Sequence, residues 1–202
     1  MNSIIAKAEA WMEDVFSSEN TGHDFEHLKR VVETATRIQA TEGGDLFFIQ
    51  LAALFHDYPD EKLTHDTNQA KGELRKWMKD EKLEEPFIQK ILRAVDAVSY
   101  KNGKNKIQAQ SIEEKIIQDA DRLDAMGAIG IVRAFTYGAS QKRQPLDYLK
   151  VNSDTTLQHF DDKLLHLKKL MQTETGRKLA EKRHDFMLLF IEELKNEQAI
   201  KS

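Results

Sequence analysis

Four times in this chain a histidine is followed directly by an aspartate: His23-Asp24, His56-Asp57, His65-Asp66 and His184-Asp185. An imidazole beside a carboxylate can form a hydrogen-bonded pair, or it can offer nitrogen and oxygen donors to one cation. The sequence has no cysteine, so any transition metal must be held by His, Asp or Glu. A dipeptide that recurs this often discriminates nothing alone; its surroundings decide. His184-Asp185 lies in the charged stretch AEKRHDF, which reads as a solvated helix face. His65-Asp66 falls in a polar connection and reads as a turn or a helix cap. His159 and His166 share one amphipathic segment, where surface or boundary roles are expected. His56-Asp57 differs, because it ends LFFIQLAALF, the most apolar run in the chain, with Gln50 its only polar residue. A helix that apolar is buried, and a buried carboxylate must be paired or bound to a cation. A structural His–Asp hydrogen bond meets that need as well as a metal does.

Two more segments share this character. His27 lies one turn before Val31, at the edge of the apolar stripe Leu28, Val31, Ala35 and Ile38. The segment IIQDADRLDAMGAIGI, residues 116–131, sets Asp119, Asp121 and Asp124 among small and apolar neighbours. Helical spacing puts Asp121 and Asp124 on one stripe, where two buried carboxylates repel unless a proton or cation intervenes. Two imidazoles and two carboxylates could thus surround one divalent ion. Mixed nitrogen and oxygen donors suit Mn²⁺, Fe²⁺, Co²⁺, Ni²⁺ or Zn²⁺ better than Mg²⁺.

The elements that must position these residues are helices. Apolar residues recur at three- and four-residue steps almost everywhere, and no alternating strand pattern is found. The spacing predicts a helix through Ile4–Val15, a second from about Asp24 to the Gly43-Gly44 break, and the buried run from Asp45 to about Asp57. Pro59 then bends the chain. Helices near 69–82 and 86–100 follow, the latter with Pro86 at its start. A basic loop, KNGKNK, comes next. Ser111 and Glu114 form a capping box before a helix that continues in pieces to about Gly138. Residues 139–154 read as loop, 157–171 as one amphipathic helix and 179–194 as the last. The expected fold is all-α: a single helical domain over residues 1–202, its metal-binding core at about 20–135 and further helices at about 155–198.

Composition sets the outer bounds. A net charge of -4 does not favour general nucleic-acid binding. No stretch approaches the roughly 18 apolar residues of a membrane span. The N-terminal segment lacks the apolar core of a signal peptide, and with the absent cysteines this fits a cytoplasmic protein. Long amphipathic helices can close one core or leave a face for a partner, so the oligomeric state stays open.

In order along the chain, His27, His56-Asp57 and Asp121 resemble the H…HD…D pattern of the HD superfamily of metal-dependent phosphohydrolases. The segments GHDFEHLKRV, ALFHDYPDEK, SYKNG, DADRLDAMGAIGI, FTYG and HFDDKLLHLKKLMQTETGR extend the likeness over about residues 20–185. They resemble a bacterial subfamily whose studied relatives are nucleotide pyrophosphohydrolases. The resemblance implies an all-helical domain with one divalent metal, manganese being the first to test, held by His27, His56, Asp57 and Asp121. Asp121 is chosen over its neighbours because the family aspartate immediately precedes a basic residue, here Arg122. Asp60 and Glu61 correspond to an acidic pair that serves the nucleophilic water in the guanosine-tetraphosphate hydrolase branch. Lys62, Lys101 and Arg133 are the expected cationic contacts to phosphate. The expected partner is a phosphorylated small molecule, a nucleotide first, with no membrane and no nucleic acid. The alternatives are a phosphatase or phosphodiesterase on another phosphoester, a metal-dependent nucleotide sensor without turnover, and a helical bundle whose buried His and Asp groups only satisfy one another.

Overall fold

The computed structural model describes residues 2–17, 24–60, 63–64, 66–98, 107–147 and 154–199. The helices are α1 (Asn2–Val15), α2 (Phe25–Glu42), α3 (Leu46–Phe55), α4 (Thr67–Asp80), α5 (Glu85–Val98), α6 (Ile112–Asp124), α7 (Gly127–Ser140), α8 (Thr156–Asp162) and α9 (Glu174–Ala199), with a 3₁₀ helix at Leu164–Leu170. Among the described residues there is no strand, only an isolated bridge between Gln144 and Thr155. None of these helices is long and apolar enough to cross a membrane.

The chain forms two compact units. The first reaches to Asp121 and the second starts at Arg122. In the first, α3 is the centre, packed against α1, α2 and α5, while α4 lies on α5. Its position follows from its sequence: Phe48, Ile49 and every residue from Leu51 to Phe55 are buried. α2 turns His27, Leu28, Val31, Val32, Ala35 and Ile38 inward.

The ends of these helices are set by single residues. Asp24 caps α2, its carboxylate accepting from the His27 amide at 2.8 Å. Gly43, at φ 81°, closes it. Asp45 caps α3 through Phe48 N. The aspartate of His65-Asp66 is a cap as well, accepting from the amides of Asn68 and Gln69, so α4 begins at Thr67. Ser111 and Glu114 form the expected capping box, at 3.2 Å in both directions.

In the second unit α7 packs on α9, and α8 and α9 both pack on the 3₁₀ helix. Phe160 is fully buried between Phe135 and Phe190, with ring centroids at 6.0 and 6.3 Å. Residues 157–171, expected as one α-helix, are instead α8 followed by the 3₁₀ helix. The break is at Lys163, which leaves the helical region at φ -138° and ψ -57°. Beyond it Leu164 and Leu167 are both buried, as the three-residue repeat of a 3₁₀ helix allows.

The turn between α6 and α7 depends on glycine. Gly127 adopts φ +71°, and a Cβ on Gly130 would stand 2.4 Å from the backbone carbon and oxygen of Ala125. Gly130→Ala is therefore expected to destabilise by about 1–3 kcal/mol, despite roughly 1 kcal/mol gained in helix propensity. A lower urea midpoint than the parent's is the expected readout; an unchanged midpoint would mean the turn can open without cost.

Candidate metal centre

Three helices of the first unit bring polar side chains to one point. His27 enters from the first turn of α2, its ring fully buried. His56 stands at the C-cap of α3 in helical conformation, and Asp57 follows it. Asp121 comes from α6. Nε2 of His27 is 3.3 Å from Asp57 Oδ2 and 3.6 Å from Asp121 Oδ1. Nε2 of His56 is 3.2 Å from Asp57 Oδ1 and 3.7 Å from the same Asp121 oxygen. The two rings lie edge-on, 5.3 Å apart.

The tautomer of His56 follows from its other nitrogen. Nδ1 donates to Ala53 O at 2.7 Å, so in the neutral ring Nε2 carries the lone pair. That Nε2 is buried and makes no hydrogen bond among the described residues, although the Asp57 carboxylate is beside it. A lone pair facing carboxylate oxygens is repulsive unless a proton or cation lies between them. Donor atoms about 2.1 Å from a shared ion stand about 3.0 Å apart in an octahedron and about 3.4 Å apart in a tetrahedron. The observed 3.2–3.7 Å separations are close to those edges. His27, His56 and Asp57 thus form a buried His-His-Asp cluster fit for a divalent ion, and Asp121 is within 3.7 Å of both rings.

Without a cation the charges settle on protons. Burial is the largest influence on the His56 ring and opposes its charge, but the Asp57 and Asp121 carboxylates outweigh it and push the ring up to about 9. At 3.7 Å the Asp121 oxygen is beyond hydrogen-bonding reach of Nε2, so its effect is that of a nearby charge. Burial likewise raises Asp121, yet the charge on His56 holds its carboxyl below the ordinary range. Exposure rises from 0% for the His27 side chain to 11% for Asp57 and 24% for Asp121, so solvent reaches the cluster from the carboxylate side.

The other residues expected at the site are placed as follows. Asp60 is half-buried in a turn, its amide donating to Asp57 O at 3.0 Å and its carbonyl accepting from Leu63 and Thr64. Glu61, Lys62 and Lys101 lie outside the described residues. Arg133, on α7, donates Nη1 to Asp124 at 2.8 Å. Pairing with an acid is one of the roles open to Arg133 on sequence, but its partner is not legible there, since the two residues sit either side of a helix break and share no periodic spacing. Asp119, third of the aspartates, is fully buried.

The HD-domain family matches residues 24–126, a span containing His27, His56, Asp57 and Asp121. The chain belongs to the HD-domain family. Its relatives match over nearly their whole length. YpgQ of Bacillus subtilis is 36% identical over 188 residues, which are 93% of this chain and 90% of YpgQ. The crystal structure of YpgQ in complex with ADP aligns with a TM-score of 0.81 at 33% identity, covering 96% of this chain and 97% of that one. A Listeria innocua protein of known structure is 42% identical with a TM-score of 0.83, covering 100% of this chain and 98% of its own. An HD-superfamily hydrolase from Bacillus thuringiensis aligns at 34% identity and a TM-score of 0.79, with 97% of each chain covered. His27, His56, Asp57 and Asp121 stand, in this chain, near the ends of α2, α3 and α6.

Proposed function

We propose that this HD-domain protein is a divalent-metal-dependent phosphohydrolase acting on nucleotides, with nucleoside or deoxynucleoside triphosphates hydrolysed to monophosphate and pyrophosphate. The observation that carries the reading is the approach of both imidazole Nε2 atoms, of His27 and His56, to within 3.2–3.7 Å of carboxylate oxygens of Asp57 and Asp121. The B. thuringiensis hydrolase supports a hydrolytic reaction, and the ADP bound by YpgQ supports a nucleotide ligand.

In this reading His27, His56, Asp57 and Asp121 are the ligands of one ion, with manganese favoured. Such an ion, when bound, acidifies water and polarises a phosphoryl oxygen. The protein supplies the rest. His56 offers Nε2 because Ala53 O holds its other nitrogen. Asp60, one turn past Asp57, or Glu61 takes the proton of the attacking water. Water adds to the α-phosphorus, the α–β bridging P–O bond breaks, and pyrophosphate departs with the electron pair. Lys62 and Lys101 balance the phosphate charge. Arg133 serves the same charge only by sharing its guanidinium with Asp124.

Purified protein with Mn²⁺ is expected to release pyrophosphate from at least one nucleoside triphosphate, read by product chromatography. If no nucleotide or phosphoester in a broad panel turns over with Mn²⁺, Fe²⁺, Co²⁺ or Ni²⁺, the enzyme reading fails.

A further inference from the structure

The two metal-centre residues His56 and Asp57 stand where regular structure stops. α3 ends at Phe55, and the segment directly after it makes three-residue turns, Tyr58 N to Phe55 O at 3.2 Å and Asp60 N to Asp57 O at 3.0 Å. A segment without the four-residue helical ladder owes its conformation to side-chain anchors. One anchor is aromatic. Phe55 is fully buried, edge-on to Trp11 at 5.9 Å and to Trp77 at 5.4 Å. Trp11 and Trp77 stack on each other at 5.6 Å, and Trp11 also meets the Tyr58 ring at 5.2 Å. The residues immediately before and after the His56-Asp57 pair are thus held by one cluster drawn from α1, α3 and α4.

The second anchor is polar. The Tyr58 hydroxyl donates to Glu73 Oε2 on α4, and Glu73 is steadied by Gln69, whose Nε2 donates to Oε1 at 3.0 Å. This bond has something to restrain. Tyr58 and Glu73 line a cavity of about 310 Å³, with Val15, Phe16, Leu63 and Ala70. A phenol ring released from Glu73 has room to swing into that space. Such a swing would carry the backbone beside Asp57 with it, and a misplacement of the order of 1 Å is enough to spoil a ligand set.

We infer that Glu73 is a positioning residue for the metal centre, acting through Tyr58, and that the Tyr58–Glu73 bond holds Asp57 in its ligating pose. The inference rests on the metal-centre reading above.

The test is Mn²⁺ binding by calorimetric titration, with kcat and KM measured alongside on whichever nucleotide turns over. Tyr58→Phe and Glu73→Ala are each expected to weaken Mn²⁺ binding by about tenfold, within the range known for groups that orient metal ligands. The loss in turnover is expected in kcat, with KM little changed. The double variant is expected to be no weaker than either single variant, because one bond is lost in all three. Glu73→Gln keeps an oxygen to accept from Tyr58 and is expected to recover to within about threefold of the parent. Near-ultraviolet circular dichroism of the chain's two tryptophans checks that the aromatic cluster has kept its packing. Variants that bind Mn²⁺ like the parent, or single losses that multiply in the double variant, overturn the inference and leave the metal centre standing. A parent that binds no divalent ion overturns both.

Discussion

Asp57→Ala is expected to abolish phosphohydrolysis and to weaken divalent-ion binding by more than 100-fold. The carboxylate lies between the two imidazoles, 3.3 Å from His27 Nε2 and 3.2 Å from His56 Nε2, so its loss opens the ligand set at the middle. Removing a group that merely orients a ligand costs about 10–100-fold, so loss of a ligand must cost more. The variant also separates chemistry from folding. Asp57 keeps 11% side-chain exposure, whereas His27 is fully buried and its truncation would leave a cavity. In the metal-free protein Asp57 repels Asp121 but attracts the His56 ring more strongly, so its removal is expected to lower stability by about 1–3 kcal/mol below about pH 9, a loss the melt measures so that binding and turnover are compared on folded protein. The three measurements are an Mn²⁺ titration, a turnover assay and a denaturant melt of the metal-free protein. An alanine variant that kept turnover within tenfold would remove Asp57 from the centre.

Much of this centre was legible because each of its parts has a local signature. The burial of α3 follows from LFFIQLAALF, where only Gln50 interrupts the apolar run, so a His-Asp pair at its end had to be satisfied. Asp24 and Asp45 mark helix starts by residue type, and Gly43 marks a helix end. Convergence was not legible in that way. His27, His56 and Asp121 are far apart in sequence, and periodicity carries no record of which helix ends meet. There the family resemblance supplied the order of the proposed ligands, and their separations came from the structure. Lys163 shows a different limit. Residues 157–171 keep an α-helical spacing of leucines, but the same leucines also satisfy a three-residue repeat, and nothing local distinguishes the two. Glu73 shows a third. On sequence it is one more charge on the polar face of α4, and only its contact with Tyr58, fifteen residues earlier, links it to the centre.

The remaining large effect is a pair of opposed pH dependences. In the metal-free protein the His56 ring is raised from 6.5 to about 9: burial resists its charge, and the Asp57 and Asp121 carboxylates more than compensate. A folded-state pKa above the unfolded value stabilises the fold fully below the lower value, and the contribution is lost as pH rises through the upper one. The metal-free protein is therefore expected to lose up to roughly 3 kcal/mol of stability between pH 6.5 and 9. The depressed pKa of Asp121 expresses the same attraction and is not added to it. Metal binding runs the other way. Below about pH 9 an incoming ion must displace the His56 proton, so the apparent affinity should climb about tenfold per pH unit and level off near pH 9. Thermal melts at a fixed Mn²⁺ concentration should then stay level above about pH 6.5, where the gain in binding offsets the loss of the His56 charge, while melts in chelator fall, so the gap between them should widen from about pH 6.5 to 8.5. Parallel curves would mean that the ion does not compete with the His56 proton, and His56 would leave the ligand set.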